Sequence, residues 1–233
     1  MQAVILAGGL GTRLRPITEK VPKCMVPIGD KPFLFYLLDL LKHRGVDDVI
    51  ICSGYLGEQI EYYFGTGKDI GLNLRYSREK DVLLGTGGAL KQAQKLVNSH
   101  FLVINGDTYL DINYQNVYQE FIAGKKQSLI VVHPAVGNER GDIEISKINQ
   151  LVISYAKNSK NIFRYVNAGV MAFDRQALFE IVSGCKVSLE TEVFPTLIKN
   201  GEVASFITKK KFYDIGTFAN LGDFESCLSG VDW

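Results

Sequence analysis

The chain is short of the residues that build metal and disulfide frameworks. Its four cysteines, Cys24, Cys52, Cys185 and Cys227, contain no CxxC pair, and its three histidines, His43, His100 and His133, share no ligand spacing with them. That pattern argues against a zinc site and a disulfide scaffold and for reduced thiols in a cytosolic protein. Long apolar runs are missing too. The run that opens the sequence, Ala3–Ala7, ends at Gly8, too early for a signal peptide or a bilayer span. Nor is there an excess of one charge. Lys and Arg number 26 against 25 Asp and Glu, a net +1 with no like-charged block at either end. Nucleic acid and membrane surfaces therefore lose their usual electrostatic reason to bind. The expectation is a cytoplasmic protein with no nucleic-acid or membrane partner, its homo-oligomeric state left open.

What is present is an ordinary globular composition, 46% hydrophobic and 22% charged over 233 residues. A domain of that size buries roughly 70–75% of its unfolded surface, enough for a core without staples. With no linker and no solenoid repeat, one domain over 1–233 is expected, its first half running to about residue 110 and a second half from about 111 to 233. Ala3–Leu6, Asp48–Cys52 and Phe101–Ile104 read as strands buried on both faces. Between them, Phe33, Tyr36, Leu37, Leu40 and Leu41 keep helical spacing, with Asp30 as a cap and Gly45 as a stop. Further helices are expected over 56–64, 89–97, 175–182, 191–199 and 217–228, and strands over 128–133, 142–146, 151–155 and 166–173. Alternation of strand and helix predicts an α/β fold, Rossmann-like, with a mostly parallel sheet covered on both faces and a β-rich second half.

Three loops carry the chemistry. The first strand runs into Leu6-Ala7-Gly8-Gly9-Leu10-Gly11-Thr12-Arg13, where glycines can turn the backbone and present N–H groups to an anion. Leu14 stands where a dinucleotide fingerprint needs its third glycine, and no Gly-Lys-Ser/Thr follows, so neither common phosphate motif fits. Arg13 and the nearby Lys23 supply fixed positive charge. Gly85-Thr86-Gly87 lies at the start of a helix, where a base or ribose can approach closely and negative charge is favoured. Asp107 follows a buried strand at its carboxyl end, where open α/β sheets place ligands. If Asp214 converges on Asp107, the two carboxylates make a hard-oxygen site suited to Mg2+.

Taken in order, these segments resemble the nucleotidyltransferases that make NDP-sugars from a nucleoside triphosphate and a sugar 1-phosphate. Leu6–Arg13 with Pro16 and Pro22-Lys23 resembles that family's signature loop, and Leu84–Ala89 its base-binding segment. Asn105-Gly106-Asp107 and Asp214-Ile215-Gly216 are similar to its two metal-aspartate motifs, and Val166–Gly169 to its sugar-contacting strand. Within the family the likeness runs to short bacterial members that activate D-glycero-α-D-manno-heptose 1-phosphate with GTP. The resemblance implies catalytic roles for Arg13 and Lys23 and nucleotide binding by Leu6, Ala7, Gly8, Gly9, Gly11, Thr12, Arg13, Gly85, Thr86 and Gly87. It implies Mg2+ on Asp107 and Asp214, and the sugar phosphate held by Gly141, Lys157, Asn167, Gly169 and Glu190. The first half then binds nucleotide and the second the sugar phosphate. The sugar side departs most: the glutamate usual before Lys157 is Ala156, and the tyrosine usual before Gly141 is Arg140.

Two readings of other classes are carried alongside. A metal-dependent glycosyltransferase presents an Asp-x-Asp pair, whereas Asp107 and Asp111 are four apart. A non-catalytic NDP-sugar-binding member of the family is expected to have lost Arg13, Lys23, Asp107 or Asp214, and all are present. A further enzyme of the same class, acting on mannose 1-phosphate or another sugar phosphate, remains an alternative.

Overall fold

A computed structural model describes residues 1–136, 141–156 and 163–228. Among the described residues, thirteen strands and six α-helices follow in chain order. They are β1 Gln2–Ala7, the short hairpin β2 Pro27–Ile28 and β3 Lys31–Pro32, α1 Phe33–His43, β4 Asp48–Ser53, α2 Glu58–Phe64, β5 Asn73–Arg78 and α3 Gly85–Gln92. Next come β6 His100–Asn105, β7 Thr108–Leu110, α4 Tyr114–Gly124, β8 Ser128–Pro134, β9 Ile143–Ile145, β10 Val152–Tyr155 and β11 Tyr165–Asp174. The last are α5 Phe194–Lys199, β12 Val203–Ile207, β13 Phe212–Asp214 and α6 Phe218–Leu228.

The main sheet has the order β10-β9-β11-β6-β1-β4-β5, with β8 also on β11 and β12 on β8. Strands β6, β1, β4 and β5 are parallel, and β11 joins β6 antiparallel. Val4, Ile5, Ile50, Ile51, Val103 and Ile104 are fully buried, as continuous apolar runs in a sheet with both faces covered must be. One core cluster lies under α1, α4 and α6, the other under α3 and α5. The chain leaves β1 toward β4 on one side and later returns to pair β6 on the other. The strand order therefore reverses between β1 and β6, and a crevice opens beyond their carboxyl ends.

The sequence-based elements recur with shifted ends. Asp30 does not cap α1: it lies in the turn between β2 and β3, the residue before the helix is Pro32, and no side chain caps there. The expected helix over 89–97 begins four residues earlier, at Gly85, and closes in a 3-10 turn at Ala93–Lys95. The one expected over 175–182 shrinks to a 3-10 turn, Arg175–Leu178, and that over 191–199 splits into a π-helical turn, Leu189–Val193, and α5. The 142–146 and 151–155 strands form the antiparallel pair β9–β10. Elements with no long apolar run, β5, β7, α4, β12 and β13, go unmarked in the sequence reading.

Helix α6 is fastened by an aromatic cluster. Phe224 is fully buried, with its ring 5.0 Å from Phe33, 5.1 Å from Tyr109 and 5.8 Å from Tyr213. Truncating Phe224 to alanine is expected to cost about 3–5 kcal/mol. Urea unfolding checks this, and a loss under about 1 kcal/mol would show that the cluster repacks around the gap.

Candidate active site

The loop after β1 bends over the crevice because one of its residues is an anchor. Leu14, the residue that breaks the dinucleotide pattern, is fully buried. It holds the 3-10 turn Thr12–Leu14 down while Thr12 and Arg13 stay exposed. The Thr18 hydroxyl donates to the Gly11 carbonyl at 2.8 Å and fastens the loop on its far side. A second 3-10 turn, Lys23–Met25, begins at Pro22 and carries Lys23 into the crevice, where its Nζ donates to Asp107 Oδ2.

Asp107 is placed by the tight turn between β6 and β7. The Gly106 N–H donates to the Leu6 carbonyl at 2.9 Å, and a Cβ on Gly106 would lie 2.8 Å from that oxygen. Only glycine lets the turn press so closely on β1. Strand β13 pairs antiparallel with β7, setting Asp214 opposite Thr108, and the Ile215 N–H donates to the Asp107 carbonyl at 3.0 Å. The two aspartates, 107 residues apart in sequence, are thus brought together by the β7–β13 pair, Asp214 at its end and Asp107 in the turn just before it. Asp214 Oδ1 accepts from the Gly216 N–H at 2.8 Å and Oδ2 from Asn220 Nδ2 at 2.9 Å. A Cβ on Gly216 would stand 2.5 Å from Asp214 Oδ1 and 2.9 Å from Arg13 Nη2, so the signature-loop arginine reaches the second aspartate's turn.

A cavity of about 390 Å3 occupies the crevice. Of the residues singled out in the sequence, it is lined by Leu6, Ala7, Gly8, Gly9, Lys23, Gly85, Thr86, Asp107 and Glu190. Gly11, Thr12, Arg13, Gly87, Gly141, Asn167, Gly169 and Asp214 lie outside that lining, and Lys157 lies outside the described residues. The glycines in the first turn of α3 pack against the 185–187 segment. The N–H groups of Gly87 and Gly88 donate to the Val187 carbonyl at 2.9 and 3.3 Å, and a Cβ on Gly88 would meet the Cys185 carbonyl at 2.6 Å. Two first-turn donors of the helix are thereby engaged within the protein, leaving Gly85 and Thr86 facing the cavity.

The sugar-side candidates are wired into the same frame. Glu190 Oε2 accepts from the hydroxyls of Thr86 at 3.1 Å and Ser188 at 2.9 Å, joining the expected nucleotide and sugar segments. Asn167 Oδ1 accepts from the Gly169 N–H at 2.8 Å, and its Nδ2 donates to the Tyr155 hydroxyl at 3.2 Å. Gly169 sits where a side chain would strike Thr108, 2.6 Å away, which ties β11 to the residue after Asp107.

Two cavity residues escaped the sequence reading. Glu79 is 7% exposed and accepts from the Leu84 N–H through Oε1 at 3.0 Å, while Oε2 lies against Gly8 and Gly54. Burial raises its pKa above the ordinary carboxylate value, only partly offset by the Leu84 bond. Lys186 also lines the cavity. A lone glutamate at the end of β5 and a lone lysine in a loop carry no motif, so only the folded chain reveals them. Cys24 and Cys52 also line the cavity, but burial pushes both thiols up to about 12, which makes them packing groups and not nucleophiles.

The sequence model of the Nucleotidyl transferase family matches residues 2–228. D-glycero-alpha-D-manno-heptose 1-phosphate guanylyltransferase of Aneurinibacillus thermoaerophilus is 35% identical over 218 residues, 93% of each chain. The protein of the same name from Campylobacter jejuni is 34% identical over 218 residues, 93% of this chain and 95% of its own. Among solved structures, HddC from Yersinia pseudotuberculosis complexed with GMP-PN superposes with a TM-score of 0.84 at 29% identity, covering 97% of this chain and 99% of that one.

A raised pKa makes a stability prediction with a definite sign. Folded Glu79 takes up its proton at a higher pH than unfolded Glu79, so stability falls as pH rises from the ordinary carboxylate value through the raised pKa, and the loss is complete above it. Glu79→Gln is therefore expected to melt higher than the parent at neutral pH, each 1 kcal/mol reading as about 2–4 °C. The gain should fade as pH is lowered through the raised pKa toward the ordinary carboxylate value. Melting curves from pH 4.5 to 8 check it, and a gap that widens on acidification would contradict it.

Proposed function

The chain belongs to the Nucleotidyl transferase family, and we propose that it joins GTP to D-glycero-α-D-manno-heptose 1-phosphate, giving GDP-heptose and pyrophosphate. The observation that carries this reading is the gathering of Arg13, Lys23, Asp107 and Asp214 at the switch point between β1 and β6, beside a cavity that can take a nucleotide. The heptose rests on likeness to the two relatives that carry that name.

Guanine follows from Glu79. A carboxylate offers only acceptors, and guanine is the base whose Watson–Crick edge presents two adjacent N–H donors, N1–H and N2–H2. The buried Glu79, with Oε2 in the glycine-walled end of the cavity, suits that edge when ionised. Adenine offers one donor and one acceptor there and leaves the carboxylate repelled.

The residues divide the charge of the reaction. A phosphate oxygen of the sugar phosphate attacks the α-phosphorus in line, and the bond to the β-phosphate oxygen breaks as pyrophosphate leaves with its electron pair. Like charges about 4 Å apart repel by roughly 4 kcal/mol at an effective dielectric near 20, so the site must offset the meeting of two anions. Lys23 holds the α-phosphate side, Arg13 the departing β,γ-phosphates, and Lys157 the sugar phosphate. A phosphate monoester is already nucleophilic, so no general base is needed, and rate comes from positioning and electrostatics. Asp107 and Asp214 fit a hard divalent cation: they are oxygen donors, and each oxygen keeps lone pairs beyond its present hydrogen bonds. Mg2+ is proposed there, and it supplies charge neutralisation at the phosphates when bound. Asn167, Gly141, Gly169 and Glu190 form the sugar side. Among the described helices none is long and apolar enough to cross a membrane.

Pyrophosphate release with Mg2+, run with five NTPs against the heptose 1-phosphate and mannose 1-phosphate, tests the whole reading. Release with GTP and the heptose phosphate is the expected result; release only with mannose 1-phosphate would correct the sugar. Asp107→Asn is expected to lower turnover by at least about a hundredfold with the fold retained. For Glu79→Gln the KM for GTP should rise about tenfold or more while kcat moves little, and an unchanged KM would remove Glu79 from the base site.

A further inference from the structure

We infer that Lys23 has a second task, resting on the proposed reading of Asp107 as a metal-holding residue: before nucleotide arrives, Lys23 closes that carboxylate to divalent cations. The ammonium of Lys23 is bonded to Asp107 Oδ2, with the two side chains 14% and 32% exposed. Among the described residues, the other oxygen, Oδ1, has only a long contact from the Thr108 hydroxyl at 3.3 Å. So the lysine is the principal partner of the carboxylate, and a divalent cation cannot settle on the same oxygen without meeting a like charge at close range.

The protein's own donor set points the same way. Among the described residues no group of three or more His, Cys, Asp or Glu could hold a metal ion. Asp107 and Asp214 are two ligands, each engaged, and the Arg13 guanidinium lies over the Gly216 turn beside Asp214. In the ligand-free chain Asp107 is thus paired with a cation, and Asp214 is held by the Gly216 N–H and Asn220 with a second cation at its turn.

A triphosphate changes the balance. Lysine is a compact charge on a flexible four-carbon stem, so it can leave a carboxylate for a phosphate without backbone movement. Phosphate oxygens that draw Lys23 away free Asp107 at the moment they supply further oxygen ligands. Nucleotide and cation then favour each other, and by linkage the coupling is reciprocal. A residue used in catalysis thus also ties cation binding to nucleotide binding.

The test is Mn2+ binding to the nucleotide-free protein, read by loss of the free-ion electron paramagnetic resonance signal. Lys23→Met is expected to bind Mn2+ on the order of tenfold more tightly than the parent. Lys23→Arg, which keeps the charge, should stay near the parent, and adding Asp107→Asn to Lys23→Met should abolish the gain. Circular dichroism and melting curves verify that each variant is folded. Equal or weaker Mn2+ binding by Lys23→Met, or a gain that survives Asp107→Asn, overturns the proposal. Because the titration contains neither nucleotide nor sugar, a failed pyrophosphate assay would fault the substrate reading and leave this result to stand by itself.

Discussion

Parallel pairing of β1 with β6 is the contact on which the site depends. The register runs from Ala3 opposite Leu102 to Leu6 opposite Asn105. The loop after β1 and the turn after β6 must therefore leave the sheet side by side. Val4, Ile5, Val103 and Ile104 are fully buried along that pair, each side chain worth about 1.5–3 kcal/mol. A one-residue slip would move Asp107 away from Lys23 and exchange the faces of every side chain on the strand. The apolar runs that hold the sheet thus also set the position of the charged loops beyond it.

Around that pair the charges are arranged in opposition. Lys23 meets Asp107, and Arg13 approaches the turn of Asp214. Lys23 and Asp107 are both partly buried, and pairing lowers the cost of taking either charge out of water. Glu79 is the exception. It is nearly buried, has one backbone donor and no ion pair among the described residues, and its raised pKa records that isolation. A protein tolerates such a group where a ligand completes it.

Much of the frame was legible in the residues. Buried strands announce themselves by unbroken apolar runs, and β1, β4, β6, β8 and β11 did so. Strands on the periphery did not: β5, at an edge, is interrupted by Arg75 and Arg78, and β7 and β13 are three residues each. The glycines that open α3 were legible as a tight helix start, but their crowding partner, Val187, comes from about 100 residues further on. Local pattern contains no term for such a contact.

Alternation of apolar runs with helical spacing determined the α/β class, and the order and residues of the loops carried the family resemblance and the residue types at its centre, because these depend on local spacing and side-chain chemistry. Tertiary structure alone decided that Asp214 stands beside Asp107, since a β7–β13 pairing joins segments that no periodicity links. It also decided that Leu14 is an anchor, that Lys23 rests on Asp107 and that Glu79 faces the cavity. Each of these is a question of distance between parts of the chain remote in sequence, and burial and pairing energies are defined only once those distances exist.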